Sequence, residues 1–365
     1  MTARVAMLTT NLAPGGAESQ VTQLARRLRG RGWEVSVISL LEPTAFGPDL
    51  AGAGVAVHSL NMDRGARGAS GCVRLVGLLR QLRPEILHGH MFHANILARV
   101  ARLACPIPVL VSTLHSAEES RSGSVDVRWR DRCYRLTDRL ADATVAVAQA
   151  VAARHLSAKA ASPARMRVIP NGVDTERYRP RRDLRDQVRR TLGLDRQFAW
   201  LAVGRLIWKK GFRNLLEAFG FLESGVLLIA GEGPEREDLH RLARGDVRFL
   251  GQRDDVADLM AACDGFVQSS FVEGFPVALL EAASCGLPCV ATDAGGCAEA
   301  GVARIVPPGD PVALAGAMRG VMEMPPAVRE GLGLENRARV AARFDAGLVA
   351  GLWEALYREL LARWT

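Results

Sequence analysis

Strand-like apolar runs alternate with amphipathic helical runs along most of this 365-residue chain, and no other feature restricts its fold as strongly. In the first half, the alternation predicts strands at 5–10, 34–41, 55–60, 85–90, 109–115 and 144–148. The predicted helices between them include 16–29, 72–82, 94–104 and 127–141. Strands and helices that alternate in this way are typical of an α/β fold with a parallel, doubly wound sheet.

A second series begins near residue 198, with predicted strands at 199–206, 226–230, 247–251, 265–270 and 288–292. We interpret the Arg- and Pro-rich stretch 177–190 between the two series as a linker. We therefore predict one Rossmann-like domain over 1–178, a second over 179–347, and an amphipathic C-terminal helix over 348–365. Doubly wound sheets bind ligands at the carboxyl ends of their strands, so the two domains are expected to face each other across a ligand-binding cleft.

Composition and charge narrow the class of protein. No apolar run reaches the roughly 18 residues that a membrane span needs, and the apolar run 5–8 is too short for a signal peptide. The seven cysteines form no CxxC pair, which predicts reduced thiols in a cytoplasmic protein. Residues 1–178 hold 23 Lys and Arg against 14 Asp and Glu, whereas residues 179–365 hold 24 against 25.

The basic first half suits an anionic partner or a membrane surface, although a general bias toward arginine would give the same excess of charge. No motif that reads RNA or DNA accompanies the charge, so we do not predict nucleic-acid binding.

Two glutamates, Glu273 and Glu281, flank a Gly-Phe-Pro step in the stretch SSFVEGFPVALLEAASCGLP at 269–288. Pro276 suits the first position of a helix, where backbone N–H groups form an anion site beside Glu273. Glu281 lies on that otherwise apolar helix, where a carboxylate needs hydrogen-bond donors. The vicinal hydroxyls of a ribose would supply them, and so would a structural ion pair with an arginine. The stretch alone leaves both interpretations open.

Further candidates follow other predicted strands. Arg205 and Lys210 leave one strand together, and two cations there suit a diphosphate. Glycine-bearing turns at 15–16, 231–233 and 295–296 let backbone approach a ligand closely. The turn at 251–256 either lines a base pocket or carries a helix N-cap at Asp254 or Asp255.

Four histidines stand at or near the ends of predicted strands. His88, His90 and His93 have the spacing HxHxxH, but a strand end that runs into a helix rarely brings such ligands together, so we predict no metal site. His115 ends the strand at 109–115 and is expected to point into the cleft.

Together these residues resemble the retaining, GT-B glycosyltransferases of family four, which use nucleotide-activated sugars. The resemblance covers nearly the whole chain. It is carried by the GGAE turn at 15–18, ILHGHMFHAN at 86–95, IPNGVD at 169–174, GRL at 204–206 with KG at 210–211, GEGP at 231–234, and the two glutamates separated by seven residues.

The resemblance implies a role for each matched residue. Glu281 would hold the ribose, Glu273 a hydroxyl of the donor sugar, and Arg205 and Lys210 the diphosphate, while His115 would contact the sugar at the reacting centre. Residues 253–256 would enclose the base, and the C-terminal helix would return onto the first domain. The implied donor-binding residues are Gly16, Gly231, Arg253, Val256, Gly274, Phe275, Pro276, Val277 and Glu281.

The expected function is retaining, metal-independent transfer of a hexosyl group from a nucleotide-diphosphate sugar, with UDP favoured, in bacterial-type glycan or glycolipid synthesis. The donor is a substrate and no cofactor is expected. The acceptor would be a glycan or a lipid-linked glycan, and the protein would be cytoplasmic, with peripheral contact to the inner face of an anionic membrane. A nucleotide-sugar epimerase and a non-catalytic nucleotide-sugar-binding subunit remain alternatives.

Overall fold

The computed structural model describes residues 3–62, 68–117, 123–194 and 196–364, and the chain divides into two compact units. The first comprises Met1–Gly172 and Ala346–Thr365, and the second comprises Val173–Asp345. The sequence predicted the first boundary after residue 178, but the structure places it after Gly172. The backbone that follows Gly172 already belongs to the second unit. There the N–H of Val173 donates to the carbonyl of Phe344 over 2.8 Å.

The first unit is built on a seven-stranded parallel sheet with the order β3-β2-β1-β4-β5-β6-β7. Its strands are β1 (Arg4–Thr9), β2 (Glu34–Ser39), β3 (Ala56–Ser59), β4 (Ile86–His90), β5 (Val109–Leu114), β6 (Ala143–Ala146) and β7 (Met166–Val168). Its helices include α1 (Gly16–Gly30), α2 (Phe46–Gly52), α3 (Gly68–Leu82), α4 (Phe92–Arg102), α5 (Gly123–Thr137) and α6 (Gln149–Ser157). The sequence did not predict β7, which has three half-buried residues and therefore little apolar pattern.

The C-terminal helix (Ala346–Leu361) completes the core of the first unit. Trp353 and Tyr357 are buried in the same apolar cluster as strand residues such as Met7 and Val111. The indole N–H of Trp33 donates to the carboxylate of Glu354 over 2.7 Å. The helix is thus held by apolar burial and by a buried polar contact, which explains why it needs no strand of its own.

The second unit is built on a six-stranded parallel sheet with the order β10-β9-β8-β11-β12-β13. Its strands are β8 (Ala199–Val203), β9 (Val226–Ala230), β10 (Asp246–Gly251), β11 (Gly265–Gln268), β12 (Cys289–Thr292) and β13 (Arg304–Val306). Its helices include α7 (Arg182–Thr191), α8 (Phe212–Gly220), α9 (Arg236–Leu242), α10 (Val256–Ala262), α11 (Val277–Ser284), α12 (Cys297–Ala300), α13 (Pro311–Met322) and α14 (Pro326–Arg343). The predicted α/β fold with two doubly wound sheets is confirmed.

The interpretation of 177–190 as a linker is wrong, because most of that stretch forms α7 within the second unit. Two of its arginines hold α7 against α10 and the start of β11. Arg185 and Arg189 reach the carboxylate of Asp264 at 2.6 and 3.1 Å, and they also donate to carbonyls at the end of α10. Cations at the carboxyl end of a helix are favourable, and this explains the density of arginine. Within the described ranges, no helix has the length and apolar character to cross a membrane.

Candidate functional site

Most of the predicted site residues lie at one edge of the sheet in the second unit. Arg205 and Lys210 follow β8, Gly231 follows β9, Arg253 follows β10 and Glu273 follows β11. In a parallel sheet the carboxyl ends of all strands lie at the same edge, which is where such sheets bind ligands. Parallel strand order thus brings together residues that are far apart in sequence.

Close backbone contacts join the loops at this edge. Gly231 has φ +152°, and a Cβ atom there would lie 1.9 Å from the carbonyl oxygen of Gly204. Gly295 has φ +56°, and a Cβ atom there would lie 2.3 Å from the carbonyl oxygen of Glu273. Both positions therefore require glycine, since a side chain would push the loops apart. The predicted role of Gly231 in bringing backbone close to a ligand stays a prediction, but the structure gives it this second role.

Three donors converge on one carboxylate oxygen of Glu273. The ammonium group of Lys210, the hydroxyl of Ser270 and the amide of Gln268 reach Oε1 at 2.6, 2.6 and 3.1 Å respectively. Only 11% of the Glu273 side chain is exposed. The second oxygen, Oε2, is therefore the one available to an incoming hydroxyl.

The loop that carries Arg205 and Lys210 is joined to the loop that carries Glu273. The N–H of Phe271 donates to the carbonyl of Lys209 over 2.7 Å, and the hydroxyl of Ser269 donates to the carbonyl of Lys210 over 3.0 Å. Arg205 is exposed at the start of this loop. Two cations on a rigidly held loop, one exposed and one paired with a carboxylate, can bind an anion at this edge of the sheet.

The predicted anion site at the start of α11 differs in one detail. Pro276 occupies the N-cap position rather than the first helical position, because its ψ of 100° is extended and the helix begins at Val277. Its carbonyl still accepts the first helical hydrogen bond, from Leu280. Phe275 is buried against Phe344, with ring centroids 5.1 Å apart, so it fixes the entry to the helix after Gly274. The first-turn N–H groups of α11 have no acceptor within the helix, as at any helix N-terminus.

Glu281 lies in the second turn of α11, and its carboxyl group is surrounded by other protein groups and largely shielded from solvent. Burial raises the pKa of Glu281 to about 7, although a hydrogen bond from Tyr178 and the nearby charge of Arg177 act to lower it. The segment with Tyr178 is held at the end of α11, because the hydroxyl of Ser284 donates to the Tyr178 carbonyl over 2.5 Å. Glu281 is thus a carboxyl group whose protonation changes near neutral pH.

The turn after β10 carries an ion pair. The guanidinium of Arg253 donates to Asp255 over 2.7 Å, and this hydrogen bond lowers the pKa of the Asp255 carboxyl group. Asp255 holds the N-cap position of α10, which begins at Val256, but its side chain makes no capping bond. The Asp255 side chain thus binds Arg253 instead of capping the helix, which was one of the two predicted roles of this turn. The other predicted role, lining a base pocket, stays a prediction.

In the first unit, His115 lies directly after β5 and lines a small cavity with His90, Thr113, Asn171 and Trp353. His90 Nδ1 and His115 Nε2 are 3.1 Å apart. Burial lowers the pKa of His115 to about 4, so its imidazole is neutral at physiological pH. A neutral imidazole can accept a hydrogen bond from a sugar hydroxyl through one nitrogen or donate one to it through the other.

The other histidines do not assemble as metal ligands. His88 contacts the hydroxyls of Tyr357 and Thr113 at 2.7 and 2.6 Å, whereas His93 is exposed on α4. Across the described ranges, no group of three His, Cys, Asp or Glu residues is placed to hold a metal ion. Gly16 is the exposed first residue of α1, the helix that follows β1 in the chain.

Gln268, Ser270 and Tyr178 belong to the site but were not predicted from the sequence. Gln268 is a polar residue at the end of the apolar strand β11 and is only 7% exposed, which could have marked it. Ser270 is fully buried, and Tyr178 comes shortly after the IPNGVD segment at 169–174. Nothing in the local pattern indicates which carboxylate either residue contacts.

Both units match known sequence families. Residues 14–177 match the profile described as Glycosyltransferase Family 4, and residues 197–324 match the profile described as Glycosyl transferases group 1. Together the two profiles cover most of the chain.

Two bacterial relatives share 30% and 37% identity with parts of this chain. The chain is 30% identical over 247 residues to UDP-Gal:alpha-D-GlcNAc-diphosphoundecaprenol alpha-1,3-galactosyltransferase of Escherichia coli, which covers 61% of this chain and 62% of the relative. It is 37% identical over 115 residues to N,N'-diacetylbacillosaminyl-diphospho-undecaprenol alpha-1,3-N-acetylgalactosaminyltransferase of Campylobacter jejuni, which covers 30% and 31%. The matched region thus spans less than two thirds of either relative.

Solved structures share the fold over nearly the whole chain. HepE from Anabaena in complex with UDP and glucose superposes with a TM-score of 0.88 at 23% identity, covering 98% of this chain and 100% of that one. Sucrose-phosphate synthase from Thermosynechococcus elongatus superposes with a TM-score of 0.85 at 22% identity, covering 99% and 100%. These similarities confirm the GT-B fold.

Proposed function

The chain belongs to the glycosyltransferases of family four, and we propose that it transfers a sugar from a UDP-sugar to an acceptor hydroxyl, with retention at the anomeric carbon. The arrangement around Glu273 supports this proposal most directly. A carboxylate with one available oxygen lies beside Lys210, at the start of the helix that carries Glu281. That set offers separate partners for a sugar hydroxyl, a diphosphate and a ribose.

In the proposed reaction, the bond between the anomeric carbon and the diphosphate oxygen breaks and a bond to the acceptor oxygen forms. The acceptor hydroxyl passes its proton to the departing diphosphate oxygen, on which negative charge grows as the bond to the sugar breaks. Arg205, Lys210 and the N-terminus of α11 would stabilise that charge as fixed positive groups. These groups would supply the charge that a metal ion supplies in other enzymes, so we propose that transfer needs no metal.

The remaining roles follow the same assignment. Glu281 would accept hydrogen bonds from the ribose, and the turn with Arg253 and Val256 would enclose the base. His115, as a neutral imidazole, would contact the donor sugar. The activities of the two bacterial relatives, both of which act on diphosphoundecaprenol-linked sugars, support a lipid-linked glycan as the acceptor.

Calorimetric titration with UDP, GDP and ADP in EDTA tests the donor assignment. We expect selective binding of UDP by the wild type and loss of that binding in Glu281→Ala. Glu335→Ala removes an exposed carboxylate from α14 and serves as the matched control. Binding of none of the three nucleotides would contradict the proposal. Isomerised sugar formed from a UDP-sugar without acceptor would indicate an epimerase instead.

One face of α5 supports contact with an anionic membrane. Arg128, Trp129, Arg132, Arg135 and Leu136 are all exposed, and their spacing places them on the same side of the helix. Trp129 and Leu136 are 58% and 76% exposed, so this face combines large apolar side chains with cations. Such a face is suited to the surface of a bilayer that contains anionic lipids. A lipid-linked acceptor would be presented at that surface.

Sedimentation with vesicles that contain an anionic lipid tests this contact. We expect Arg128→Glu with Arg132→Glu to lower the partition coefficient onto the vesicles at least about tenfold, since each basic residue near such a surface contributes about 1 kcal/mol. Arg196→Glu with Arg244→Glu makes the same charge change on exposed positions of the second unit and should bind like the wild type. Equal loss in both double variants would show only a general effect of charge.

A further inference from the structure

We infer that Gln268 and Ser270 are positioning residues that hold the Glu273 carboxylate while Lys210 turns from it to the diphosphate of the donor. This inference rests on the proposed function. Of the three donors that contact Glu273 Oε1, two are neutral and one is charged.

The two neutral donors are fixed by the sheet. Ser270 is fully buried and Gln268 nearly so, and the hydroxyl of Thr292 on β12 donates to the Ser270 carbonyl over 2.6 Å. The amide of Gln268 also lies 3.6 Å from the sulfur of Cys297, so it is enclosed on a second side. A buried amide and a buried hydroxyl are costly without hydrogen-bond partners, and Glu273 is the partner that both side chains contact.

Lys210 differs from these two residues. Its side chain is 30% exposed and reaches Glu273 from the loop after β8 through a long, flexible stem. The same ammonium group is proposed to bind the diphosphate. Donor binding would therefore break its ion pair with the largely buried carboxylate of Glu273. Without other donors, that carboxylate would lose its partners, and binding would carry the cost of a buried, unsolvated charge.

Gln268 and Ser270 remove that cost, because they stay hydrogen-bonded to Oε1 after Lys210 moves. Oε2 is then left for a hydroxyl of the donor sugar. The arrangement therefore lets one lysine neutralise Glu273 in the free protein and the diphosphate in the complex.

The test uses UDP as the probe and compares two backgrounds. Gln268→Met keeps the length of the side chain without its donor, and Ser270→Ala removes the hydroxyl. With Glu273 present, we expect the double variant to bind UDP about tenfold more weakly, as for loss of hydrogen bonds to a charged group. With Glu273→Gln, which releases Lys210, the same double variant should bind UDP like Glu273→Gln alone.

The comparison distinguishes the possible outcomes. Equal weakening in both backgrounds would mean that Gln268 and Ser270 only support the loop, and it would overturn this inference while leaving the proposed function intact. A wild type that binds no UDP would overturn both. We also expect Glu273→Gln alone to bind UDP at least as tightly as the wild type, because Lys210 then has no competing carboxylate.

Discussion

Replacing Lys210 with alanine is expected to lower the turnover number of sugar transfer by about 10²–10³-fold. The ammonium group would meet the diphosphate as negative charge develops on it, so its loss affects the transition state more than the bound donor. Turnover is measured at saturating UDP-sugar with the release of UDP as the readout, in buffer with EDTA. Activity that survives EDTA in the wild type is part of the same expectation.

Lys209→Ala is the matched control for this experiment. Lys209 is the adjacent lysine, and its ammonium group lies 6.0 Å from the ring centroid of Trp208 rather than beside Glu273. It should retain nearly full turnover. Unchanged turnover in Lys210→Ala, with a normal unfolding temperature, would rule out the diphosphate role for this residue.

Affinity for the donor is expected to depend on pH through Glu281, whose pKa lies at about 7 in the free protein because of burial. The ionised carboxylate accepts hydrogen bonds from ribose hydroxyls, whereas the protonated form has lost much of this capacity. Affinity should therefore be highest above pH 8 and fall as pH decreases through 7, approaching about tenfold per unit below it. At pH 5.5 the loss should reach about 30-fold.

This pH dependence is best measured with UDP-glucose, whose diphosphate has no group that titrates near neutral pH. Glu281→Gln should abolish the dependence while keeping the shape of the side chain. Tyr178→Phe should shift the curve to higher pH, because the Tyr178 hydrogen bond lowers the pKa of Glu281. The charged or titratable neighbours Arg177 and Cys285 are unchanged in both variants. A curve that Glu281→Gln leaves in place would assign the titration to another group.

The periodic parts of the fold could be predicted from the sequence with small errors at their ends. Strand β9 was predicted as 226–230 and lies at Val226–Ala230. Its ends are well predicted because a continuous apolar run is typical of a buried strand in a parallel sheet, and a glycine stands on either side of it. Strands β7 and β13 were missed, since each has three residues and includes an arginine. The sequence of helix α7 resembles a linker because it contains many arginines, whereas Asp264, the carboxylate that binds two of them, lies far along the chain.

In the candidate site, too, some features could be predicted from the sequence and others were decided by the tertiary structure. The sequence by itself determined that Arg205, Lys210 and Glu273 would lie together, because each follows a strand of one parallel sheet. It also determined the chemistry of these groups, which depends only on residue type. The partners of the two glutamates were decided by the tertiary structure. Gln268 and Ser270 meet Glu273, and Tyr178 meets Glu281, through side-chain directions and packing between segments distant in sequence, which no local pattern encodes.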